Sequence, residues 1–293
     1  MLSNNKNQLQ NTSIISDPMA TPSTENWSNS DGKTISRLEH ITPLILTYNE
    51  EANIRRTLEH LTWAKTIIVI DSYSTDKTLE ILDGYSQVQV FKRKFDTHGQ
   101  QWNYGLEQVK SPWVLSLDAD YIVTDDLISE MATLPVDGQI DGYFVRFNYC
   151  VFGKPVRNTR ILPPRQVLFK KSKAIYIDDG HTQVLQLTGK SDMLSGYLYH
   201  DDRKPFSRWL WSQERYTVLE AKKILETPIS ELDWVDRIRR QKTLAPGMVF
   251  LYCLFIEGWI FDGWYGWYYV FHRVLAETIL AIRIIEAEKL KRH

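Results

Sequence analysis

The chain predicts an α/β fold with a mostly parallel sheet in its first half, a more antiparallel second half and a helical C-terminal region. Three observations support this. Short apolar or β-branched runs alternate with amphipathic helical patterns from residue 41 to residue 118. Strand-like segments separated by turns then follow one another up to residue 200. From Pro205 onward, helical periodicity takes over.

Residues 1–37 are rich in Asn, Ser, Thr and Gln and lack apolar periodicity, so a disordered tail is expected there. Ile41 to Leu46 is a short apolar strand, with Pro43 tolerable near its start. "EEANIRRTLEHLTWA" places Ile54, Leu58 and Leu61 on one helical face, with acids in the first turn. "TIIVID" is a β-branched run suited to a strand covered on both faces. "STDKTLEILDGY" predicts a helix capped by Ser74 or Thr75, with Leu79 and Leu82 inward. "VQVFKR" is a third strand, "DTHGQQWNYGLEQV" a third helix and "WVLSLDAD" a fourth strand. "DDLISEMATL" reads as a short helix, and "GYFVRFNYCVF", "RQVLFKK", "AIYID", "TQVLQLTG" and "LSGYLYH" as strands. The expected organisation is a domain over 38–204 and a helical, aromatic-rich region over 205–293.

With 293 residues, 43% of them hydrophobic, the chain can bury a substantial core. Lys+Arg 35 against Asp+Glu 36 leaves a net charge of -1, which gives no basic field and argues against a nucleic-acid partner. Cys150 and Cys253 form no metal or redox pattern and read as reduced core residues. No basic stretch followed by an apolar run opens the chain, so no secretory signal is expected and a cytoplasmic location is.

In open α/β sheets, ligands bind beyond the carboxyl ends of the strands. Three strands here end in polar residues: Thr47-Tyr48-Asn49-Glu50, Asp71-Ser72, and Asp118 with Asp120. The glycine-rich patterns GxGxxG and GxxxxGK[ST] are both absent, which weakens a dehydrogenase or P-loop reading. An Asp-x-Asp pair offers another route to phosphate: hard oxygen ligands hold Mg2+ or Mn2+, which binds a diphosphate. A carboxylate after a strand is also a common helix cap or turn former, so the pair gains weight only beside the other two strand ends.

"PLILTYNEEANI", "IIVIDSYSTDKT" and "HGQQWNYGLEQVKSPWVLSLDADYIV", in that order and spacing, resemble the opening of an inverting family 2 glycosyltransferase. The likeness is greatest to the bacterial lipopolysaccharide-core glucosyltransferase type, and it extends more loosely through "RQVLFKKSKAIYIDDGHTQ", "YLYHDD" and "FIEGWIFDGWYGW". The resemblance implies a three-layer GT-A fold and transfer of a hexose from a nucleotide-diphosphate sugar, with UDP as the expected nucleotide. It implies that Thr47, Tyr48 and Glu50 line the base and ribose pocket, and that Asp71, with Ser72 beside it, bonds the nucleoside. Asp118 would face the ribose or the metal, and Asp120 would ligate the metal. Gln101 and Asn103 lie on the preceding helix; Asn103 is either a donor contact or part of a solvated face.

Inverting transfer to a hydroxyl needs a carboxylate base. Asp179 is the first candidate and Asp178 the second. Similar proteins often carry His-Glu where this chain has His181-Thr182, which removes one alternative. His181 is expected either to ligate metal or diphosphate or to make a structural hydrogen bond, and His200 likewise. Arg165 would pair with a diphosphate or an anionic acceptor.

The aromatic stretch "MVFLYCLFIEGWIFDGWYGWYYVFHRVL" is interrupted by Glu257, Asp262 and three glycines, which argues against a simple spanning helix. Its Trp and Tyr content, with basic residues after it, suits peripheral attachment to the cytoplasmic face of the inner membrane. The alternatives are a core helix pair or a homo-oligomer interface. The expected function is metal-dependent transfer to an envelope glycan or lipid-linked saccharide such as lipopolysaccharide core. Rival functions are a polyprenyl-phosphate glycosyl synthase, which needs no base; a nucleotidyltransferase, which should carry a glycine-rich loop where "TYNEEAN" stands; and a non-catalytic membrane module.

Overall fold

The computed structural model describes residues 37–135, 138–157, 163–179 and 182–290. Of the expected N-terminal tail only Arg37 falls within these; it is buried and opens a 3-10 turn, Arg37–His40. In the first half, β1 (Ile41–Thr47), α1 (Ile54–Glu59), β2 (Ile67–Asp71), α2 (Thr78–Asp83), β3 (Val88–Lys92), α3 (His98–Gln108) and β4 (Trp113–Asp118) alternate as the sequence suggests. Then come β5 (Tyr121–Val123), α4 (Asp125–Thr133), β6 (Ile140–Val151), β7 (Lys154–Pro155) and β8 (Arg165–Lys170). They are followed by β9 (Ala174–Asp179), β10 (Thr182–Leu187) and β11 (Lys190–His200). The helical region holds α5 (Phe206–Glu226), α6 (Trp234–Arg240), α7 (Leu244–Leu251) and α8 (Gly263–Leu290).

The main sheet has the order β3-β2-β1-β4-β8-β6-β11-β5, with β7 paired to β6. The strands β1 to β4 are parallel. The second half is mixed: β8 runs antiparallel to β4 and β6, and β5 antiparallel to β11, but β6 and β11 are parallel to each other. β9 and β10 form a separate antiparallel hairpin. Pro43 sits where β1 is flanked only by β4, because pairing with β2 begins at Leu44.

The β-branched runs are continuous because both faces of the sheet are covered, and the period of two sorts them. Ile67 and Val69 of β2 enter one core with Ile54, Leu58, Leu82, Leu127 and Met131 from α1, α2 and α4. Ile68 and Ile70 enter the opposite core with Trp102 and Leu106 of α3 and Tyr176 of the hairpin. This is the three-layer arrangement. Each fully buried Leu or Ile contributes roughly 1.5–3 kcal/mol, so these two layers hold the sheet edge rigid.

The cap of α2 differs from expectation. The helix begins at Thr78, whose backbone N–H donates to Asp76 at 3.0 Å, while Ser74 and Thr75 bond to residues of the neighbouring loops. The long C-terminal helix is broken. A π turn, Tyr252–Ile256, and a 3-10 turn, Trp259–Asp262, separate α7 from α8, with left-handed Gly258 (φ 73°) between them. The two arms meet at 69°. Among the described residues no single helix is long and apolar enough to cross a membrane.

The broken segment is packed onto the sheet domain. Trp259, Cys253, Leu254 and Val270 bury against Val151 and Val156 beyond the end of β6, and α5 packs on α8 through Ala221, Ile224, Leu280 and Ile284. Arg157 bonds Asp262 through its side chain at 2.7 Å and its backbone at 2.9 Å. Gly266 allows this closeness, since a Cβ there would run into the carbonyl of Trp259 and the Cβ of Asp262. Gly266→Ala should therefore cost about 1–3 kcal/mol and lower the thermal midpoint by several degrees in a melting curve. Gly247→Ala in α7, where a Cβ would have nothing within 4 Å, should not lower it.

Candidate active site

The pairings fix the directions of the strands. β6 and β11 run the same way as β1, β2 and β4, because two antiparallel steps through β8 restore the direction. The carboxyl ends of all five therefore meet along one edge. That edge carries Thr47, Asp71, Asp118, Val151 and His200.

Asp71 organises the loops after β1 and β2. It is fully buried, and its carboxylate accepts from Thr47 Oγ1 (2.9 Å), Ser74 Oγ (2.5 Å) and the Ser74 backbone N–H (2.9 Å). Ser74 Oγ also accepts from the backbone N–H of Asn49 at 2.9 Å. The non-glycine residues Asn49 and Tyr73 are held at φ 56° and 62° in these loops. Left-handed backbone at a bulky residue persists only when its surroundings impose it.

Asp120 lies just past β4. Its Oδ2 is 3.2 Å from His200 Nε2 at the end of β11, so the pair joins two strand ends that are far apart in sequence. Burial alone would raise the Asp120 carboxyl, but the charge and hydrogen bond of His200, with Lys204 nearby, hold it down at about 2. Burial would lower the imidazole of His200, but Asp120 outweighs it and raises it. Oδ1 of Asp120 is buried and has no hydrogen-bond partner. Asp118 is more open and points an oxygen to within 3.8 Å of Arg165 Nη1.

These two carboxylates fit a Mg2+ or Mn2+ ion. Such ions are commonly held by one or two carboxylates and completed by substrate phosphates, and the orphaned Oδ1 is an acceptor in need of a partner. Among the described residues no group of three His, Cys, Asp or Glu forms a closed metal cage, so phosphate oxygens and water would have to complete the shell.

The strand ends open into a cleft of about 800 Å³. Thr47, Tyr48, Glu50, Ser72, Asp118 and Asp120 line it, together with Gln101, which donates to Ser72 at 3.0 Å. Burial pushes the Glu50 carboxyl up to about 7 against the opposing pull of Lys204, whose Nζ is 2.7 Å away. Arg208 lies over the Tyr48 ring at 5.1 Å.

Several expected site residues lie elsewhere. Asp71 stands behind the cleft, where it is fully buried and already takes three hydrogen bonds; it positions Thr47 and the loop. Asn103 is not in the cleft, because its side-chain amide makes two hydrogen bonds to the backbone of Tyr176, at 2.8 and 2.9 Å. Asp178 and Asp179 do not line it either. Asp178 accepts from the backbone N–H of Gly99 at 2.8 Å, in the first turn of α3, and Asp179 sits 3.5 Å from Lys223. Both end β9, which belongs to the hairpin and not to the convergent sheet. Arg165 reaches Asp118 from the rim and donates to the Tyr121 hydroxyl at 3.2 Å. His181 lies outside the described residues.

The opposite wall comes from residues that the sequence reading left out of the site. Asp202 and Lys204 follow β11, and Trp209, Trp211, Arg208, Arg215 and Tyr216 come from α5. Tyr268, Tyr269, His272 and Arg273 come from α8. The signal was present for the first group, since "YLYHDDRK" is another polar strand end. Nothing in helical periodicity distinguishes cleft-facing aromatics from membrane-facing ones.

The family model described as Glycosyl transferase family 2 matches residues 44–190, half of the chain. An uncharacterized glycosyltransferase of Rickettsia bellii is 32% identical over 104 residues, 35% of each chain. LpsC of Rhizobium meliloti, a lipopolysaccharide core biosynthesis glycosyltransferase, is 29% identical over 84 residues, which span 27% of this chain and 31% of LpsC. The matches thus span about a third of the length of either relative. Among solved structures, S. aureus TarS 1-349 in complex with UDP-GlcNAc gives a TM-score of 0.47 at 16% identity, covering 86% of this chain and 92% of TarS. Glucosyl-3-phosphoglycerate synthase of Mycobacterium tuberculosis gives 0.41 at 17%, covering 58% and 74%. Both likenesses are too distant to carry weight. The family match agrees with the convergent strand ends and the aspartate pair, and on it the chain belongs to the family 2 glycosyltransferases.

Proposed function

We propose that this enzyme is an inverting, divalent-cation-dependent hexosyltransferase that uses a UDP-sugar and acts on an envelope glycan or lipid-linked saccharide such as lipopolysaccharide core. The observation that carries the proposal is the buried, unpartnered Oδ1 of Asp120 beside Asp118 at the convergent strand ends. The likeness to LpsC supports the acceptor class.

A bound Mg2+ or Mn2+ would neutralise charge on the departing diphosphate. Asp118 and Asp120 would hold it, and His200 would fix the orientation of Asp120. Thr47, Tyr48 and Ser72 would receive the nucleoside. The acceptor hydroxyl attacks the anomeric carbon opposite the diphosphate, the bond from that carbon to the phosphate oxygen breaks, and the hydroxyl proton passes to a carboxylate. That base is assigned to Glu50 or Asp202, the two cleft carboxylates not used for the cation. A polyprenyl-phosphate acceptor is the second reading. Lys94, Arg208, Arg215 and Arg273 line the cleft without a carboxylate partner among the described residues, and an anionic nucleophile would need no base.

Peripheral attachment to the cytoplasmic face of the inner membrane is part of the proposal. Leu251, Phe255, Ile256, Phe261 and Trp264 expose more than half of their surface around the break between α7 and α8. Lys154 and Arg157 sit 5.5 and 5.6 Å from the Trp264 and Phe261 rings, where they can meet anionic headgroups. Phe261→Glu should abolish co-sedimentation with phosphatidylethanolamine/phosphatidylglycerol vesicles while leaving the melting curve unchanged.

A donor screen with Mg2+ or Mn2+ should release UDP from one UDP-hexose; release from none would overturn the reading. Asp120→Ala should abolish release. Either Glu50→Gln or Asp202→Asn should lower kcat by about 100-fold or more, whereas Asp179→Asn should not. Robust transfer to polyprenyl phosphate would favour the second reading.

The Asp120–His200 pair predicts a pH dependence. The folded-state pKa of His200 is raised and that of Asp120 is held down at about 2, so the pair's contribution to stability is lost as pH rises through the folded value of His200 and is lost again as pH falls through that of Asp120. In an NMR titration without divalent cation, the His200 ring should titrate above 6.5 and fall back in Asp120→Asn. An unchanged value in the variant would remove the pair from the account.

A further inference from the structure

One set of cleft residues is not explained by the donor, and of these Tyr268 alone packs against the adjoining core. Phe152 and Gly153, at φ 50° and 80°, form the two-residue turn between β6 and β7. Such turns favour Asn, Asp and Gly, and a bulky side chain at positive φ is strained there. Burial does not compensate, because Phe152 is 53% exposed. Its ring instead faces the cleft.

That ring is one step in a continuous series. Trp209 of α5 lies 4.5 Å from His272, His272 lies 4.4 Å from Tyr268, Tyr268 lies 5.4 Å from Phe152, and Phe152 lies 6.1 Å from Trp264. The first four line the cleft, whereas Trp264 is 56% exposed on the apolar surface around the helix break. Two buried polar atoms beside these rings, His272 Nε2 and Arg273 Nε, have no hydrogen-bond partner.

We propose that the series Trp209–His272–Tyr268–Phe152–Trp264 is an acceptor subsite, a track on which the sugar rings of a lipid-anchored saccharide stack between the bilayer and the reacting hydroxyl. It rests on the transferase reading of the cleft. A pyranose presents an apolar C–H face, which suits the electron-rich face of an aromatic ring, and hydroxyl or anionic groups on its edge need polar partners. His272 and Arg273, which line the same cleft and each leave a nitrogen without a hydrogen-bond partner, supply these. Rings spaced along a wall, with few fixed hydrogen bonds between them, allow an elongated ligand to lie along the surface.

The test uses Phe152→Asn, which suits the turn and removes the ring, with Trp264→Ala and Trp264→Tyr. The probes are rough lipopolysaccharide in phosphatidylethanolamine/phosphatidylglycerol vesicles and the core oligosaccharide released from it by mild acid. Oligosaccharide binding, followed by tryptophan fluorescence, and the acceptor KM should both weaken about tenfold in Phe152→Asn and Trp264→Ala. Trp264→Tyr should recover most of the loss, and the KM for the UDP-sugar should stay within about twofold. Unchanged oligosaccharide binding in both variants overturns the track. Loss confined to the vesicle-bound acceptor also overturns it, because the rings then touch only lipid. Absence of UDP release by the wild-type enzyme would instead sink the transferase reading, and the binding measurement decides the track separately.

Discussion

A carboxylate that leaves water must be matched by donors or by opposite charge, and the cleft is organised by three that do. Asp71 is matched by Thr47 and Ser74, and the loops after β1 and β2 are tied together as a result. Glu50 is matched by Lys204, which brings the segment after β11 against the segment after β1. Asp120 is matched on one oxygen by His200, which connects the end of β11 to the end of β4. The pairings of Asp71 with Thr47, Glu50 with Lys204 and Asp120 with His200 join segments well separated in sequence, so the same requirement that makes these groups costly to bury also locks the strand ends into register. Only the second oxygen of Asp120 is left without a match.

The parallel half of the fold was legible because its signals are local. "TIIVID" is a β-branched run of the kind expected for a doubly covered strand, and its side chains do divide between two cores. Strands that end in polar residues pointed to one edge, which correctly gathered Thr47, Tyr48, Glu50, Ser72, Asp118 and Asp120 into the cleft. The same rule misplaced Asp178 and Asp179. They end a strand, but that strand pairs only with β10 in a hairpin outside the main sheet. It would have been right for His200, Asp202 and Lys204 had the parallel pairing of β6 and β11 been visible. That pairing depends on β8 inserting between β4 and β6, a tertiary fact with no local trace.

The aromatic C-terminus shows a different limit. Composition suggested a membrane-surface segment, and exposed rings around the helix break are compatible with one. Yet Tyr268, Tyr269 and His272 on the same stretch face the cleft, and Trp259 and Val270 are core. One helix thus has three environments, which no hydropathy average could separate. The glycines matter here for geometry: left-handed Gly258 permits the bend, and Gly266 lets the returning helix press on the turn.

The parallel return of β11 onto β6 also bears on how the enzyme is made. The parallel half of the sheet is built from strands that are near neighbours in the chain, whereas the facing wall lies on helices synthesised last. Between Asp118 and His272 lie about 150 residues, roughly 8–30 s of translation at ordinary rates. During that interval the apolar residues at the end of β6, Val151 among them, have no cover, because Trp259 and Val270 that bury them have yet to appear. A nascent chain of this enzyme therefore carries an uncovered apolar patch from the completion of β6 until the last helix docks.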